Sequence, residues 1–447
     1  MLIGIGASIY SGNRYDAAIS SANLAARFDA ALGITAAGGF ASAWADQSGN
    51  GRNLLQATGA NQPIHLPFAG DKYGYLPGVA NNYFSTPDSA ANSIAGDIDI
   101  RMHIAMDDWT PAALSVMASK WDAATPVDSW YLSFQGTSNG IITFIWTEDG
   151  GTTSKTANTT VPTGVADGAY KWVRITLDVD NGAGGFDVKF YLSDDGVTWT
   201  QLGATVTGPG STSIYNSTAK VYVGSVRGDV ANPRMKCKRF LLKDGIDGTT
   251  VNDFDPSRWT SGTTLTGSTG ETWTINSTGS KPAQIVDRPS LLFDGAAHFM
   301  KCNAFTLNQP ETVYLVAKQV SWTNPDYFFD GNGTDSMLCY QSPSTPTLTL
   351  SAGAAGPQTS DLAVGAKGVV CSVFNGASSS IQVNASAEVT GNVGVKNAGG
   401  FTLGAYATGA LFLGNIQAYE VLIYNVAHDA ATRANVIRAL MNKHGVS

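Results

Sequence analysis

The chain is poor in charge, in glutamate, in cysteine and in long apolar runs. Only 14% of its 447 residues are charged, below the roughly 25% usual for soluble domains. Of 35 acidic residues, five are glutamates: Glu148, Glu271, Glu311, Glu388 and Glu420. No two share a strand, so the closely spaced carboxylate pair of a glycosidase has no candidate among them. Aspartate favours turns over helix interiors, so the bias itself predicts loops and strands. The histidines, His65, His103, His298, His428 and His444, show no zinc-ligand spacing. No Gly-x-Ser-x-Gly elbow precedes a helix, and Gly4-Ile5-Gly6 lacks a following phosphate-binding pattern. A net charge of −8 argues against a nucleic-acid partner. No apolar run reaches the roughly 18 residues of a membrane span, so no membrane insertion is expected. Cys237, Cys302, Cys339 and Cys371 fit neither a zinc pattern nor a small disulfide framework. They are expected to be free thiols packed as small hydrophobes, made in a reducing cytoplasm. Met1–Ile9 carries no basic leader region, so no signal peptide is expected.

What is present is a repeat. Leu76-Pro77-Gly78 to Phe84, a strand Ile98 to Met106 and Trp109-Thr110-Pro111 answer Leu292-Phe293-Asp294-Gly295 to Phe299, Thr312 to Val320 and Trp322-Thr323-Asn324-Pro325. Asp180-Asn181-Gly182-Ala183 answers Phe374-Asn375-Gly376-Ala377, and Val221–Gly224 answers Phe401–Gly404. A repeat this long means two domains of one fold rather than a solenoid. Strands are predicted at Ile98–Met106, Trp130–Gln135, Ile141–Trp146, Lys171–Val179, Asp187–Leu192, Lys220–Ser225 and Cys237–Leu242. Ser193–Trp199 reads as a hairpin turn. Two helices are predicted. One runs from Asp16 to Leu32 in an N-terminal arm. The other is C-terminal, capped by Asp429 and closed by Gly445, with Arg433, Arg438, Asn442 and Lys443 facing away from its apolar stripe. The division expected is an arm over 1–35 and domains over 36–245 and 246–447, with a linker near Asp244–Gly270. The fold class is all-β: two sandwiches in tandem with the short arm and the C-terminal helix.

Trp44-Ala-Asp-Gln-Ser-Gly-Asn-Gly51, Ala57–Pro63, Leu292-Phe293-Asp294-Gly295 and Glu420-Val-Leu-Ile-Tyr424 before a short helix resemble the concanavalin A-like (laminin-G-like) jelly-roll superfamily. They are similar in particular to the tandem modules of bacteriophage tail, fibre and head-decoration proteins. The resemblance implies a curved jelly roll per domain and a superfamily that binds glycans, binds proteins or hydrolyses polysaccharides. Fold alone does not decide between these. The expectation is a non-enzymatic virion structural protein, on the capsid or in a tail fibre, made in a host cytoplasm. The arm would hold it to other virion proteins as a homo-oligomer, and the modules would face host-surface glycan or protein. The alternatives are a secreted bacterial carbohydrate-binding protein and, behind it, a polysaccharide hydrolase using aspartates.

Candidate site residues follow. Trp121, Trp130, Tyr131 and Trp146 have no counterpart in the second copy and are the expected glycan platform, since aromatic faces stack on sugars. Trp172 alternates with Val173 and Ile175 and is read as core. Trp109 and Trp322 recur in both copies and are read as structural. No cofactor is required. Ca²⁺ ligands are sought at Asp178, Asp180 and Asp187, and further at Asp46, Asn181, Asp294, Asp326 and Asp330. The plainer reading of these acids is turn formation.

Overall fold

Two nine-residue strands, Ile98–Met106 and Glu311–Gln319, hold the same place in two all-β units. The computed structural model describes residues 19–122, 127–136, 139–151, 153–333 and 336–446. One unit is Phe68–Asp287; the other joins the chain up to Pro67 with the chain from Arg288 onward.

The Phe68–Asp287 unit packs two antiparallel sheets. A nine-stranded sheet runs Thr200–Gln201, Gly185–Ser193, Tyr170–Asp178, Ile98–Met106, Arg234–Asp244, Tyr73–Pro77, Gln284–Val286. Val206–Pro209 and Thr249–Phe254 also pair into it. The facing eight-stranded sheet runs Ser154–Asn158, Ile142–Thr147, Trp130–Gln135, Leu114–Lys120, Val221–Val223, Tyr83–Thr86, Thr272–Asn276, Thr264–Thr266. Strand alternation decides what lies between them. Ile98, Ile100, Met102 and Ile104 point inward with Val173, Ile175 and Leu177, against Leu132, Phe134, Phe144 and Trp146 from the other sheet. Each such buried side chain contributes roughly 1.5–3 kcal/mol.

In the other unit Glu311–Gln319 lies between Lys367–Phe374 and Ile416–Tyr424, and Leu24–Asp29 pairs on the far side of the latter. All nine residues of Ile416–Tyr424 are buried. The reason is that both faces are covered. Ile416, Ala418, Val421 and Ile423 enter the sandwich core, while Tyr419, Leu422 and Tyr424 lie under the C-terminal helix Ala430–His444. That helix is capped as the sequence indicates. The Asp429 carboxylate accepts from the Thr432 N–H at 2.7 Å, and Gly445 closes it at φ +62°.

The repeat is visible in the pairing. Ile98–Met106 lies between Tyr170–Asp178 and Arg234–Asp244, just as Glu311–Gln319 lies between its two neighbours. Val221–Val223 and Thr402–Leu403 also correspond, each joining two strands of its unit's other layer. The expected boundaries of 36–245 and 246–447 are corrected by the same pairings. Thr249–Phe254 and Gln284–Val286 complete the sheet of the preceding strands, pairing with Arg234–Asp244 and Tyr73–Pro77. Their counterparts Leu24–Asp29 and Ile64–Leu66 pair with Ile416–Tyr424 and Ser290–Leu292. The opening segment of each copy therefore completes the body of the other. The expected linker Asp244–Gly270 is part of a sheet.

The predicted N-terminal helix is corrected too. Asp16–Ala18 lie outside the described residues. Leu24–Asp29 is a strand in register from Leu24 opposite Tyr424 to Asp29 opposite Glu420, with Ala25, Ala26 and Phe28 in the core. Sheet pairing and burial override the helical propensity of its alanines. The arm is thus part of a sandwich from Leu24 on.

Candidate functional site

The outward face of Glu311–Gln319 carries Tyr314 and Val316, which lie under the C-terminal helix. The same face of Ile98–Met106 carries Arg101 and His103, both only half-buried. Around them the nine-stranded sheet displays Tyr170, Trp172 and Arg174 from one neighbour and Tyr191 from the next, with Trp199 just beyond. All five are aromatic or cationic.

Register places these groups. Arg174 stands directly opposite Arg101, and Trp172 opposite His103. Two like charges across a strand pair repel, and two carboxylates offset this. Asp99, fully buried, accepts from Arg101 Nε at 3.0 Å and from Arg174 Nη2 at 2.8 Å. Asp247, from the turn after Arg234–Asp244, bonds both guanidiniums and donates its own N–H to Asp99 at 3.0 Å. The hydrogen bond from Arg174, assisted by Arg101, holds the Asp247 carboxyl below its usual range. Trp199 then lies against both cations, whose guanidinium carbons sit 5.5 and 5.6 Å from its ring centre. Arg174 also covers Tyr191 at 5.3 Å.

The aromatic run continues along the sheet. Trp172 meets Trp199 edge-on at 6.4 Å, and His103 meets Tyr170 at 5.3 Å. Lys238 lies over Tyr170 at 4.6 Å. The turn Ser193–Thr198 sets the height of Trp199. Its Asp195 carboxylate accepts from the N–H groups of Val197 and Thr198 and from the Ser193 hydroxyl. Those bonds push the Asp195 pKa far down. An open groove of about 800 Å³ at this end of the strands is lined by Tyr170, Lys171, Ser193, Asp194, Asp195 and Thr198.

The residues singled out from the sequence fall elsewhere. Trp130 and Trp146 face one another across a strand pair inside the core and are fully buried, so they leave the candidate platform. Trp121 and Tyr131 are a half-buried edge-to-face pair 4.9 Å apart on the outside of the other sheet. Adjacent strand residues point opposite ways, which is why Trp130 and Tyr131 part company. The same rule corrects Trp172. Its alternation with Val173 and Ile175 puts it on the face opposite theirs, and it is half-buried outside the core. Trp109 is buried and donates to the Ala169 carbonyl; Trp322 donates to that of Thr347.

The aspartates proposed for Ca²⁺ serve loops. Asp178 and Asp187 stand opposite one another, but Asp187 accepts from Asn181 Nδ2 and Thr207 Oγ1. Asp178 and Asp180 accept from the N–H groups of Asp180 and Gly182. Asp46 accepts from Arg27, Ser48 and Arg52, and Asp294 from Ala296, Ala297 and His298. Asp330 accepts from Gly331, Ser336, Met337 and Ala407. Asp326 is partly buried, and that burial raises its carboxyl to about 6. Among the described residues, no three His, Cys, Asp or Glu side chains are grouped to hold a metal.

Comparison with known proteins gives likenesses of form. No protein-family model matches the chain, and no curated protein matches it. Among solved structures it is similar to domains LG4-5 of the mouse laminin alpha1 chain, at 12% identity and a TM-score of 0.31, covering 82% of this chain and 93% of that one. It is similar to the LG1-3 region of the laminin alpha2 chain, at 9% identity and 0.29, covering 88% and 68%. A Ruminococcus gnavus IT-sialidase CBM40 bound to alpha2,3 sialyllactose matches at 13% identity and 0.28, covering 37% and 87%. At such scores the tandem jelly-roll architecture rests on the strand pairings given above.

Proposed function

We propose that the chain is a non-enzymatic binding protein that takes a glycan on the open face of its nine-stranded sheet. One observation carries this: the face that one unit buries under a helix is, in the other, built of part-exposed rings braced by ion pairs. Indole and phenol faces stack on the apolar faces of sugars, and a bound sugar needs them held at fixed angles. Here Asp99, Asp247 and the two arginines fix Trp199, and register fixes Trp172 and His103. The acids on this face are engaged by cations, by turn N–H groups or, at Asp187, by the Asn181 amide and the Thr207 hydroxyl, which suits binding rather than acid–base chemistry. The setting proposed is that expected from the resemblance, a phage virion surface meeting host glycan; a secreted bacterial protein would use the same face. No cofactor is invoked.

The test is a panel of immobilised oligosaccharides probed with the purified chain and with Trp199→Ala. Specific binding that falls at least tenfold in the variant, with an unchanged melting curve, is the expected result. Equal binding by both proteins, or none by either, would reject the face as the site.

A further inference from the structure

On the reading that this face binds a glycan, its electrostatics define which kind. We infer that the ligand is an uncharged sugar chain and that Asp247 is the group that excludes acidic ones.

The face is rich in cations, and those nearest Trp199 are spent. Arg101 and Arg174 form a two-to-two cluster with Asp99 and Asp247. Lys238 pairs with Asp71 at 3.0 Å, and Lys171 with Asp194 at 2.5 Å. Farther along, Arg239 holds two carboxylates, Asp253 and Asp255, while Asp107 holds two cations, Arg234 and Lys236, so these offset. Lys189, on the same face, forms no ion pair within 4 Å among the described residues; its charge is felt by Asp187, two residues away. His103 is uncharged near neutral pH, its burial and the charge of Lys238 lowering it to about 4. Beside Trp199 and Trp172 an arriving carboxylate or sulfate meets arginines that already hold carboxylates; Lys189 lies beyond, next to Tyr191 on its strand, and Lys243, opposite Asp99, donates to Thr250 Oγ1 at 3.3 Å and forms no ion pair among the described residues. The arriving anion meets Asp247, whose side chain is 66% exposed and whose two carboxylate oxygens already occupy the arginine pair.

The two arginines would by themselves suit an anion, since a guanidinium pair reads a carboxylate bidentately. Asp247 fills that role from within the chain. It is held there by a left-handed backbone at φ +56°, which Asn and Asp tolerate best. An uncharged ligand has no such competitor. It gains stacking on Trp199 without displacing a carboxylate, and its affinity does not depend on salt.

The experiment compares cellohexaose, maltohexaose and chitohexaose with oligogalacturonate and oligosialic acid, at 50 and 500 mM NaCl, for the full chain and Asp247→Asn. Asparagine keeps the backbone conformation and removes the charge. The unaltered chain is expected to bind at least one neutral chain, within twofold at both salts, and acidic chains at least tenfold more weakly. Asp247→Asn is expected to gain at least fivefold for an acidic chain at 50 mM, and to lose that gain at 500 mM. Preference of the unaltered chain for acidic chains, or no gain in the variant, overturns this inference and leaves the glycan reading standing. If no member of the panel binds and Trp199→Ala changes nothing, the glycan reading falls and takes this one with it.

Discussion

Trp172 and His103 lie with ring centres 4.9 Å apart and planes 8° from parallel, on directly opposed positions of neighbouring strands. Burial, with the nearby Lys238 ammonium, lowers the His103 pKa to about 4. Glycan binding is therefore expected to be level from pH 5 to 8 and to change only as pH falls toward 4. Titration of the His103 ring protons by NMR checks it; a midpoint near 6.5 would contradict the packing.

Gly196 lies close against the Trp172 indole. A methyl group there would approach the indole Cε2 to 2.7 Å, and the backbone sits at φ +74°. Gly196→Ala is expected to cost roughly 1–3 kcal/mol and to tilt Trp172 toward Trp199. Weaker glycan binding with a shifted tryptophan emission spectrum is the expected pair of outcomes.

Glu311 opens its strand opposite Phe374, fully buried, and neither carboxyl oxygen has a hydrogen-bond partner among the described residues. Burial raises its pKa to about 8. The folded state then binds this proton more tightly than the unfolded chain does. Stability is full below about pH 4.5 and falls as pH rises toward 8, by on the order of 3 kcal/mol at pH 7. Glu311→Leu is expected to melt higher at pH 8 and to lose this slope. Calorimetry between pH 5 and 8.5 decides.

Glu420 behaves in the opposite sense. Burial alone would raise its carboxyl, but the hydrogen bond from His444 and the charges of Lys443 and Arg27 bring it down to about 2. Lys443, expected to face solvent, instead reaches Glu420 and Asp29, each at 2.6 Å. Arg433 turns inward to Glu388 in the same way. Stability from Glu420 is present above about pH 4.5 and is lost as pH falls through 2. Lys443→Met leaves two carboxylates short of a partner and is expected to cost roughly 3 kcal/mol. Urea unfolding at pH 7 measures it.

Much of the strand pattern was legible, because it depends on local alternation. Ile98–Met106, Trp130–Gln135 and Cys237–Leu242 fall on observed strands, and the ordered matches between the copies fall on equivalent ones. The free, buried state of the four cysteines followed from spacing. What was missed depends on partners far along the chain. Leu24–Asp29 is helical by composition and extended only because Ile416–Tyr424 offers an edge. The inward turn of Lys443 depends on Glu420 and Asp29. Three tryptophans were misread for a smaller reason. Trp172 was grouped with its alternating neighbours instead of opposite them, while Trp130 and Trp146 were credited with an exposure that a sandwich interior does not allow.

The exchange of opening segments makes the chain a ring cut at one point. Asn425 donates its N–H to the Asn23 carbonyl at 2.9 Å, so the first described strand and the last meet. Severing the chain between Asp244 and Gly248, at the apparent border of the repeat, would strip each body of its closing strands. A chain that instead begins at Phe68, runs to the old C terminus and continues through a short joint into residues 19–67 would make both bodies continuous. The second arrangement is expected to fold and the first to aggregate. Peptide 19–67 supplied separately should restore the melting transition of a chain that starts at Phe68 and ends at the old C terminus.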